Sequence, residues 1–110
     1  HLNFYLVREG EANKLKVERN IDRQSATLIF AQSSIKLKKN DRLYFTTDGF
    51  ADQISETKRK KIGNSDFQNL LLSVGNYPIK QHSELLAEYF SKWKGTYEQV
   101  DDVLVLGLEV

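Results

Sequence analysis

The most regular hydrophobic pattern in the chain alternates along residues 43–47 and runs directly into Asp48, Gly49 and, three residues on, Asp52. An alternation with a period of two predicts a β-strand, here with packing on both faces. Because Gly49 has no Cβ, it can take positive φ and let the backbone turn sharply, so that Asp48 projects from the end of the sheet. A carboxylate held in this way is suited to bind a metal ion.

The same stretch, residues 43–52, has a plainer interpretation. Asp-Gly is a common hairpin turn, and it would join a strand at Arg42–Thr47 to a second strand at Phe50–Ile54. Taken alone, this stretch favours the hairpin slightly. A second acidic segment is needed to decide between the two.

That second segment is a continuous apolar run, Val103–Leu108, which Asp101 and Asp102 precede. A run without polar residues predicts a central strand covered on both faces. The two acids would lie immediately before its first residue. Adjacent carboxylates beside a buried strand repel each other and lose hydration unless a cation, hydrogen-bond donors or water compensate them. Two solvated acids at the end of a loop fit this segment, taken alone, equally well.

Two amphipathic helices are predicted between the acidic segments. Ser65 and Gln68 have the form of a capping box, and Gly75 ends that helix. Pro78 opens the second helix, which ends at Gly95. The apolar residues of each helix fall on one face: Phe67, Leu70, Leu71 and Val74 in the first, and Leu85, Leu86, Tyr89, Phe90 and Trp93 in the second.

Strands account for the rest of the pattern. Phe4–Val7 and Lys14–Val17 are predicted to form a hairpin with its turn at Glu9-Gly10. Ala26–Phe30 has strand composition, and Ser33–Leu37 could begin the strand that follows. We therefore expect an α+β fold of mainly antiparallel strands, with two amphipathic helices packed on one face.

Composition narrows the chemistry further. The 110 residues suit one small domain, and 16 Lys and Arg against 15 Asp and Glu leave a net charge of +1, which favours neither nucleic acid nor an anionic membrane as a partner. The absence of cysteine excludes disulfides, thiolate zinc sites and a cysteine nucleophile. His82 lies on the apolar face of the second predicted helix, so it is interpreted as a packed or half-exposed side chain and not as a metal ligand. No apolar run reaches the length of a membrane span.

The basic run Lys58–Lys61 is the remaining charged feature. It lacks the interleaved aromatic residues and the basic excess of a nucleic-acid site. We interpret it as a solvated loop, and secondarily as an edge that attracts phosphate beside the acidic residues.

Taken in this order, the acidic segments and the helices between them resemble the C-terminal half of the metal-dependent serine/threonine phosphatases (PPM family, type 2C-like), and in particular its bacterial SpoIIE-type branch. The family's Lys-Gly-Asp turn, strand and Thr-Asp-Gly element correspond to Leu37–Asp41 followed by Thr47–Gly49. Its closing Asp-Asp corresponds to Asp101 and Asp102. Its Ala-Gly-His-Asn-Pro strand entry is similar to His1–Val7.

The sequence departs from the family pattern at three places. Asn40 stands where glycine is usual, a change that asparagine tolerates in left-handed geometry. Asn3 is followed by Phe4 in place of proline. Asn20–Asp22 lies about where the family often has Pro-Ile-Gly, which could mean a different loop path there.

The resemblance implies a part of a four-layer αββα sandwich, with residues 1–110 forming the C-terminal portion of the catalytic domain. The family's N-terminal metal-binding half, with an aspartate that bridges two metal ions, would precede this portion. We therefore expect the chain to be a piece of a longer parent protein. This piece would itself contain strands of both sheets. Uncovered sheet edges of such a piece would favour a homodimer.

The resemblance also implies an activity: hydrolysis of phosphoserine or phosphothreonine on a protein by a water molecule activated by two Mn²⁺ or Mg²⁺ ions, without a side-chain nucleophile. Asp48 and Asp101 would be metal ligands, and Asp102, Gly49 and Asp52 would have supporting roles. This portion alone would bind the ions weakly or not at all and would be inactive.

The same resemblance suggests a cytoplasmic signalling context. The substrate would be a phosphorylated protein such as an anti-sigma-factor antagonist, and the parent could carry a sensor or membrane domain upstream. This segment itself would contact neither nucleic acid nor membrane. The alternative is a phosphatase-like regulatory or protein-binding module that performs no catalysis.

Overall fold

The structure, a computed structural model, describes residues 2–15, 19–22, 27–30 and 36–110. The described elements, in chain order, are β1 (Leu2–Arg8), β2 (Glu11–Leu15), β3 (Arg19–Asp22), β4 (Thr27–Phe30), β5 (Arg42–Thr47), α1 (Gly63–Val74), a 3₁₀ turn (Ile79–Gln81), α2 (His82–Lys94) and β6 (Val105–Glu109).

The strands form two antiparallel sheets. One has four strands in the order β2-β1-β5-β6, and the other is the hairpin of β3 and β4. The central strand β5 follows β4 in the sequence but pairs with β1 and β6, so the sheet is built from segments far apart in the chain. The expected α+β fold of antiparallel strands and two helices is confirmed.

The first hairpin is also confirmed. Arg8 pairs with Glu11, which leaves Glu9 and Gly10 as a two-residue turn, and both have positive φ, 52° and 76°. Two positive φ values are typical of the type I′ turn, whose twist matches that of the strands it joins. The end of the predicted second strand, residues 16–17, lies outside the described residues, as do residues 33–35 of the strand predicted at Ser33–Leu37; residues 36–37 are not in a strand.

Both helices pack on one face of the four-stranded sheet, as predicted. Tyr5, Val7 and Tyr44 point from β1 and β5 towards them and are buried. Each large apolar side chain removed from water in this way stabilises the fold by about 1.5–3 kcal/mol. The predicted helix faces supply the other side of the core, with Phe67, Leu71, Val74 and Leu86 buried and Leu70, Leu85, Tyr89, Phe90 and Trp93 packed against them.

The predicted capping box at Ser65 is wrong. Helix α1 begins at Gly63, and no side chain caps it. The amide of Gly63 donates instead to the carbonyl of Ala51 at 2.8 Å, and the amide of Ile62 donates to the carbonyl of Gln53 at 3.2 Å. Because the turn after β5 already satisfies these amides, the helix starts without a polar cap. The predicted helix ends at Gly75 and Gly95 are confirmed.

The prediction of a central strand covered on both faces is wrong for residues 103–108. Strand β6 lies at one edge of the four-stranded sheet. Leu104, Leu106 and Leu108 are 58%, 53% and 48% exposed, whereas Val103 and Val105 pack against the core. An apolar run reports only that both faces of a strand avoid polar residues, and it does not show what covers each face.

The exposed leucines belong to a larger apolar face on the side of the sheet opposite the helices. Phe4 and Phe45 lie on this side, with their rings edge to face at a centroid distance of 4.8 Å. Leu106 pairs with Phe45 in the sheet. An exposed apolar face of this kind is typical of a surface that another layer of protein covers.

The turn before β5 is held by a buried carboxylate. Asp41 is 2% exposed and accepts hydrogen bonds from the Arg8 guanidinium, whose Nε lies 2.9 Å away, and from the Lys38 amide at 2.7 Å. Asn40 precedes it with a φ of 74°, which confirms the predicted left-handed geometry at the position where glycine is usual in the resembling family. The turn therefore links β1 to β5 through charge as well as through backbone pairing.

This carboxylate predicts a pH dependence of stability. The Arg8 guanidinium and the Lys38 amide lower the pKa of Asp41 from 3.8 to about 2. Since the folded pKa lies below the ordinary value, ionised Asp41 stabilises the fold fully above about pH 4, and this contribution is lost as the pH falls through about 2. Urea unfolding at a series of pH values should therefore give a flatter acid limb for Asp41→Asn than for the wild type. The exposed Asp66→Asn is the control, and an equal flattening in both variants would contradict the assignment.

Candidate functional site

The chain after β5 makes a helical turn and no hairpin. The amide of Asp52 donates to the carbonyl of Asp48 at 2.9 Å, and the amide of Gln53 donates to that of Phe50 at 3.3 Å. The hairpin interpretation of Asp48-Gly49 is therefore wrong. Its physical reason is that β1 and β6 occupy both edges of β5, so the segment after β5 has no free edge to pair with.

Gly49 is required for a different reason from the predicted one. Its φ is not positive; the positive-φ glycines of the described chain are Gly10, Gly63 and Gly95. A Cβ added at Gly49 would lie 2.2 Å from the carbonyl oxygen of Asp102 and 3.2 Å from that of Asp101. The absence of a side chain thus lets the backbone of the two acidic segments come into contact.

Thr47, the last residue of β5, stabilises the contact between Gly49 and the backbone of Asp102. Its hydroxyl donates to the carbonyl of Asp102 at 2.9 Å and accepts from the amide of Leu104 at 3.0 Å. Its own amide donates to the carbonyl of Leu104 at 3.0 Å. Three hydrogen bonds of one residue therefore fix where Asp102 stands relative to the end of β5.

Gln53 holds the other side of the acidic loop. Its side chain is fully buried; Nε2 donates to the carbonyl of Glu98 at 2.9 Å, and Oε1 accepts from the amide of Val100 at 3.3 Å. Its backbone carbonyl accepts from the indole of Trp93 at 2.8 Å. One buried amide thus joins the turn after β5, the end of α2 and the loop that leads to Asp101.

Gln53→Leu is expected to lower the free energy of unfolding by about 1–3 kcal/mol, because the half-buried hydrogen bonds of the Gln53 amide to the Glu98 carbonyl and the Val100 amide are lost. Urea unfolding measures the loss, and hydrogen exchange should show faster exchange of the Val100 amide. Gln99→Leu is the matched control, since Gln99 is exposed and its side chain donates to the nearby carbonyl of Asp101. Equal stability losses in both variants would show that burial of Gln53 is not what holds the loop.

The four acids of the site differ in their surroundings. Asp48 is half-buried, and its carboxylate accepts a hydrogen bond from the Asn3 amide. Asp101 is exposed, and its Oδ1 accepts from the amide of Asp102 at 2.7 Å. Asp102 is exposed, and Asp52 makes a loose ion pair with Lys61 at 3.7 Å.

The negative charge of Asp48 affects the pKa of Tyr5, a buried residue of β1. Burial raises the pKa of Tyr5, and the nearby Asp48 carboxylate raises it further. The Tyr5 hydroxyl donates to the side-chain oxygen of Asn64, with a long oxygen–oxygen distance of 3.4 Å. Within the described part of the chain, the side-chain hydrogen bond to the Asp48 carboxylate comes from Asn3 and reaches its Oδ1.

The oxygen donors present match what Mg²⁺ or Mn²⁺ prefers, but they do not make a complete ligand set. Among the described residues, no group of three or more His, Cys, Asp or Glu side chains is arranged to hold a metal ion. His82 is buried, with its ring nitrogens 3.0 Å from the Tyr44 hydroxyl and 2.8 Å from the Tyr77 carbonyl. This confirms that His82 is a packed side chain. The helices in the described part of the chain lack the length and the apolar composition of a membrane span.

The roles of Thr47 and Gln53 were not predicted from the sequence, in which Asn3 stood out only as part of a motif. Thr47 looks like any strand residue, because its hydroxyl acts only after β6 has paired with β5. Gln53 carries a weak signal, a polar residue between Ala51 and Ile54 that proves to be fully buried. Nothing in a single sequence separates such a buried amide from an exposed one.

Comparison with solved structures identifies the fold. The SiaA-PP2C domain of Pseudomonas aeruginosa has a similar structure, with a TM-score of 0.77 and 23% sequence identity over 99% of this chain. This chain spans 43% of the length of that one. No family model and no curated protein matches the sequence. The chain thus shares its fold with part of a PP2C-type phosphatase domain.

Proposed function

We propose that this chain is the C-terminal portion of a metal-dependent serine/threonine phosphatase domain of the SpoIIE type, and that Asp48 and Asp101 ligate Mn²⁺ or Mg²⁺ in the intact domain. The observation that carries the proposal is the close approach of Gly49 to the Asp101-Asp102 backbone. It joins the acidic ends of two paired strands, β5 and β6, on a fold shared with a PP2C domain.

The surroundings of the two acids are suited to such ligands. The Asn3 amide orients Asp48, and the Asp102 amide orients Asp101, so each carboxylate keeps one oxygen available. Thr47 and Gln53 fix the loop that carries Asp101 and Asp102. Further ligands, including an aspartate that bridges two ions, would come from outside the described residues.

The chemistry of a bound divalent cation fits phosphate ester hydrolysis, since it lowers the pKa of a bound water and neutralises charge on phosphoryl oxygens. The residues of this chain would supply binding and orientation. Asp48 and Asp101 lie at an accessible edge of the sheet, which a phosphorylated side chain on another protein can reach. We propose a phosphorylated signalling protein, such as an anti-sigma-factor antagonist, as the substrate, and the cytoplasm as the location.

The test is hydrolysis of para-nitrophenyl phosphate and of a phosphoserine protein by the full-length protein with Mn²⁺, with Mg²⁺ and with excess chelator. Turnover should require a divalent ion and return when the ion is restored. Turnover that persists under complete chelation would contradict a metal-dependent mechanism. A protein that binds the phosphoprotein but never hydrolyses it would be a regulatory module.

A further inference from the structure

A rigid basic turn follows the acidic site. The amide of Ser55 donates to the carbonyl of Lys60 at 3.0 Å, and the amide of Arg59 donates to the carbonyl of Ser55 at 3.0 Å. The Ser55 hydroxyl accepts from the amide of Lys58 at 3.1 Å, and a β-bridge between Ile54 and Lys61 closes the turn. This basic turn, residues 55–61, therefore has a defined shape.

The basic turn is also anchored to the end of α2. The Glu56 carboxylate accepts from the amide of Thr96 at 2.9 Å. Lys58 lies over the Trp93 ring, 5.4 Å from its centre, and the Arg59 guanidinium lies 5.8 Å from the centre of the Tyr97 ring. Cation–π contacts of this kind hold two of the four cations against the protein surface.

A cleft of about 630 Å³ separates the basic turn from the acidic loop. This volume is within the range of ligand-binding clefts, roughly 300–1,000 Å³. Its walls carry three cations and two of the acids described above. The lining residues are Asp52, Ile54, Arg59, Lys60, Lys61, Val100 and Asp101.

Two of the three cations of the cleft, Lys60 and Lys61, are available to a ligand. Lys60 makes no ion pair within the described part of the chain, and the pair of Lys61 with Asp52 is long, with both side chains largely exposed. Exposed pairs of this kind contribute little and exchange readily for a better partner. An anion entering the cleft can therefore bind Lys60 and Lys61 without breaking a strong contact.

From this arrangement we infer that the cleft is a subsite for an anionic group that flanks the phosphorylated residue of the substrate, either an acidic side chain or a second phosphate. The subsite presumes the phosphoryl position of the proposed function, because Asp101 lines the cleft and belongs to both. The two acids in the same walls repel a continuous polyanion, so a peptide with isolated negative charges fits better than nucleic acid.

The test compares nonapeptides with a central phosphoserine flanked by glutamate, by alanine or by a second phosphoserine. In each peptide the central phosphoserine is replaced by its non-hydrolysable phosphonate, and binding to the full-length protein is measured by fluorescence anisotropy with Mn²⁺ present, so that the proposed phosphoryl position is occupied and no turnover interferes. The glutamate or bis-phosphorylated peptide should bind about fivefold to tenfold more tightly than the alanine peptide, as expected for two partly exposed charge pairs. The preference should shrink as salt is raised.

The variant that removes Lys60 and Lys61 together, Lys60→Gln with Lys61→Gln, should abolish this preference. The matched control is Lys80→Gln with Lys92→Gln, which removes the same charge from residues that do not line the cleft. Equal preferences in the two double variants would overturn the inference, and so would tighter binding of single-stranded DNA than of any peptide. If the wild type shows the preference and the Lys60/Lys61 double variant loses it, but no metal-dependent turnover is found, the subsite stands and the phosphatase is rejected. If metal-dependent turnover is found but the wild type shows no preference, the phosphatase stands and the subsite is rejected.

Discussion

Asp48→Asn and Asp101→Asn are each expected to lower metal-dependent hydrolysis by the full-length protein about a thousandfold or more. An amide lacks the charge that binds a divalent ion, and metal assistance contributes several kcal/mol to the stabilisation of the transition state. Steady-state hydrolysis of para-nitrophenyl phosphate with Mn²⁺ measures the loss, and calorimetric titration with Mn²⁺ should show weaker binding in both variants.

Two further variants rank the acids. Asp52→Asn should cost less than about tenfold, because Asp52 is not proposed as a ligand and makes only a loose, exposed ion pair with Lys61. Asp66→Asn, an exposed position in the first turn of α1, is the matched control and should behave like the wild type. Equal losses at Asp48, Asp52 and Asp101 would show that the ligands are assigned to the wrong acids.

Gly49→Ala is expected to destabilise the chain by about 2–4 kcal/mol, because the new methyl group would overlap the Asp102 carbonyl oxygen, and moving the two segments apart would break the hydrogen bonds of the Thr47 hydroxyl with Asp102 and Leu104. Hydrolysis by the full-length protein should fall with it, since the acidic segments are forced apart. Urea unfolding of the chain measures the first effect and turnover the second.

Gly10→Ala is the control that distinguishes the steric clash at Gly49 from the stability that any glycine-to-alanine change would cost. Gly10 has a φ of 76° and open space around its Cα, so alanine there suffers only left-handed strain, about 1 kcal/mol. A Gly49→Ala variant that is more stable than Gly10→Ala and fully active would show that the close approach of the acidic segments is not needed.

The fold class and the helices were predictable because they depend on local periodicity. The faces of α1 and α2, the Glu9-Gly10 turn and the left-handed Asn40 are each encoded within a few residues. The exposed side of β6 was not predictable, since an apolar strand looks the same whether the layer that covers it is present or absent.

The site was predictable only in part. Asp48, Asp101 and their neighbours stood out because acids follow apolar strands, and the structure brings their backbones together at Gly49. Their supports are non-local: Thr47 acts on a partner 55 positions away, and Gln53 on one 45 positions away. Such partners are set by which strands pair, and local pattern carries no information about that pairing.

The long range of the Thr47 contact has a consequence for the order of folding. Helices form from neighbours along the chain, whereas the contact of Thr47 with Asp102 must first close a loop of more than fifty residues. The acidic edge is therefore expected to assemble late, when β6 docks at the end of the chain. A partly folded molecule with both helices in place would still lack the paired acids, so a ligand that needs both of them, such as the divalent ion proposed above, would favour the completed state.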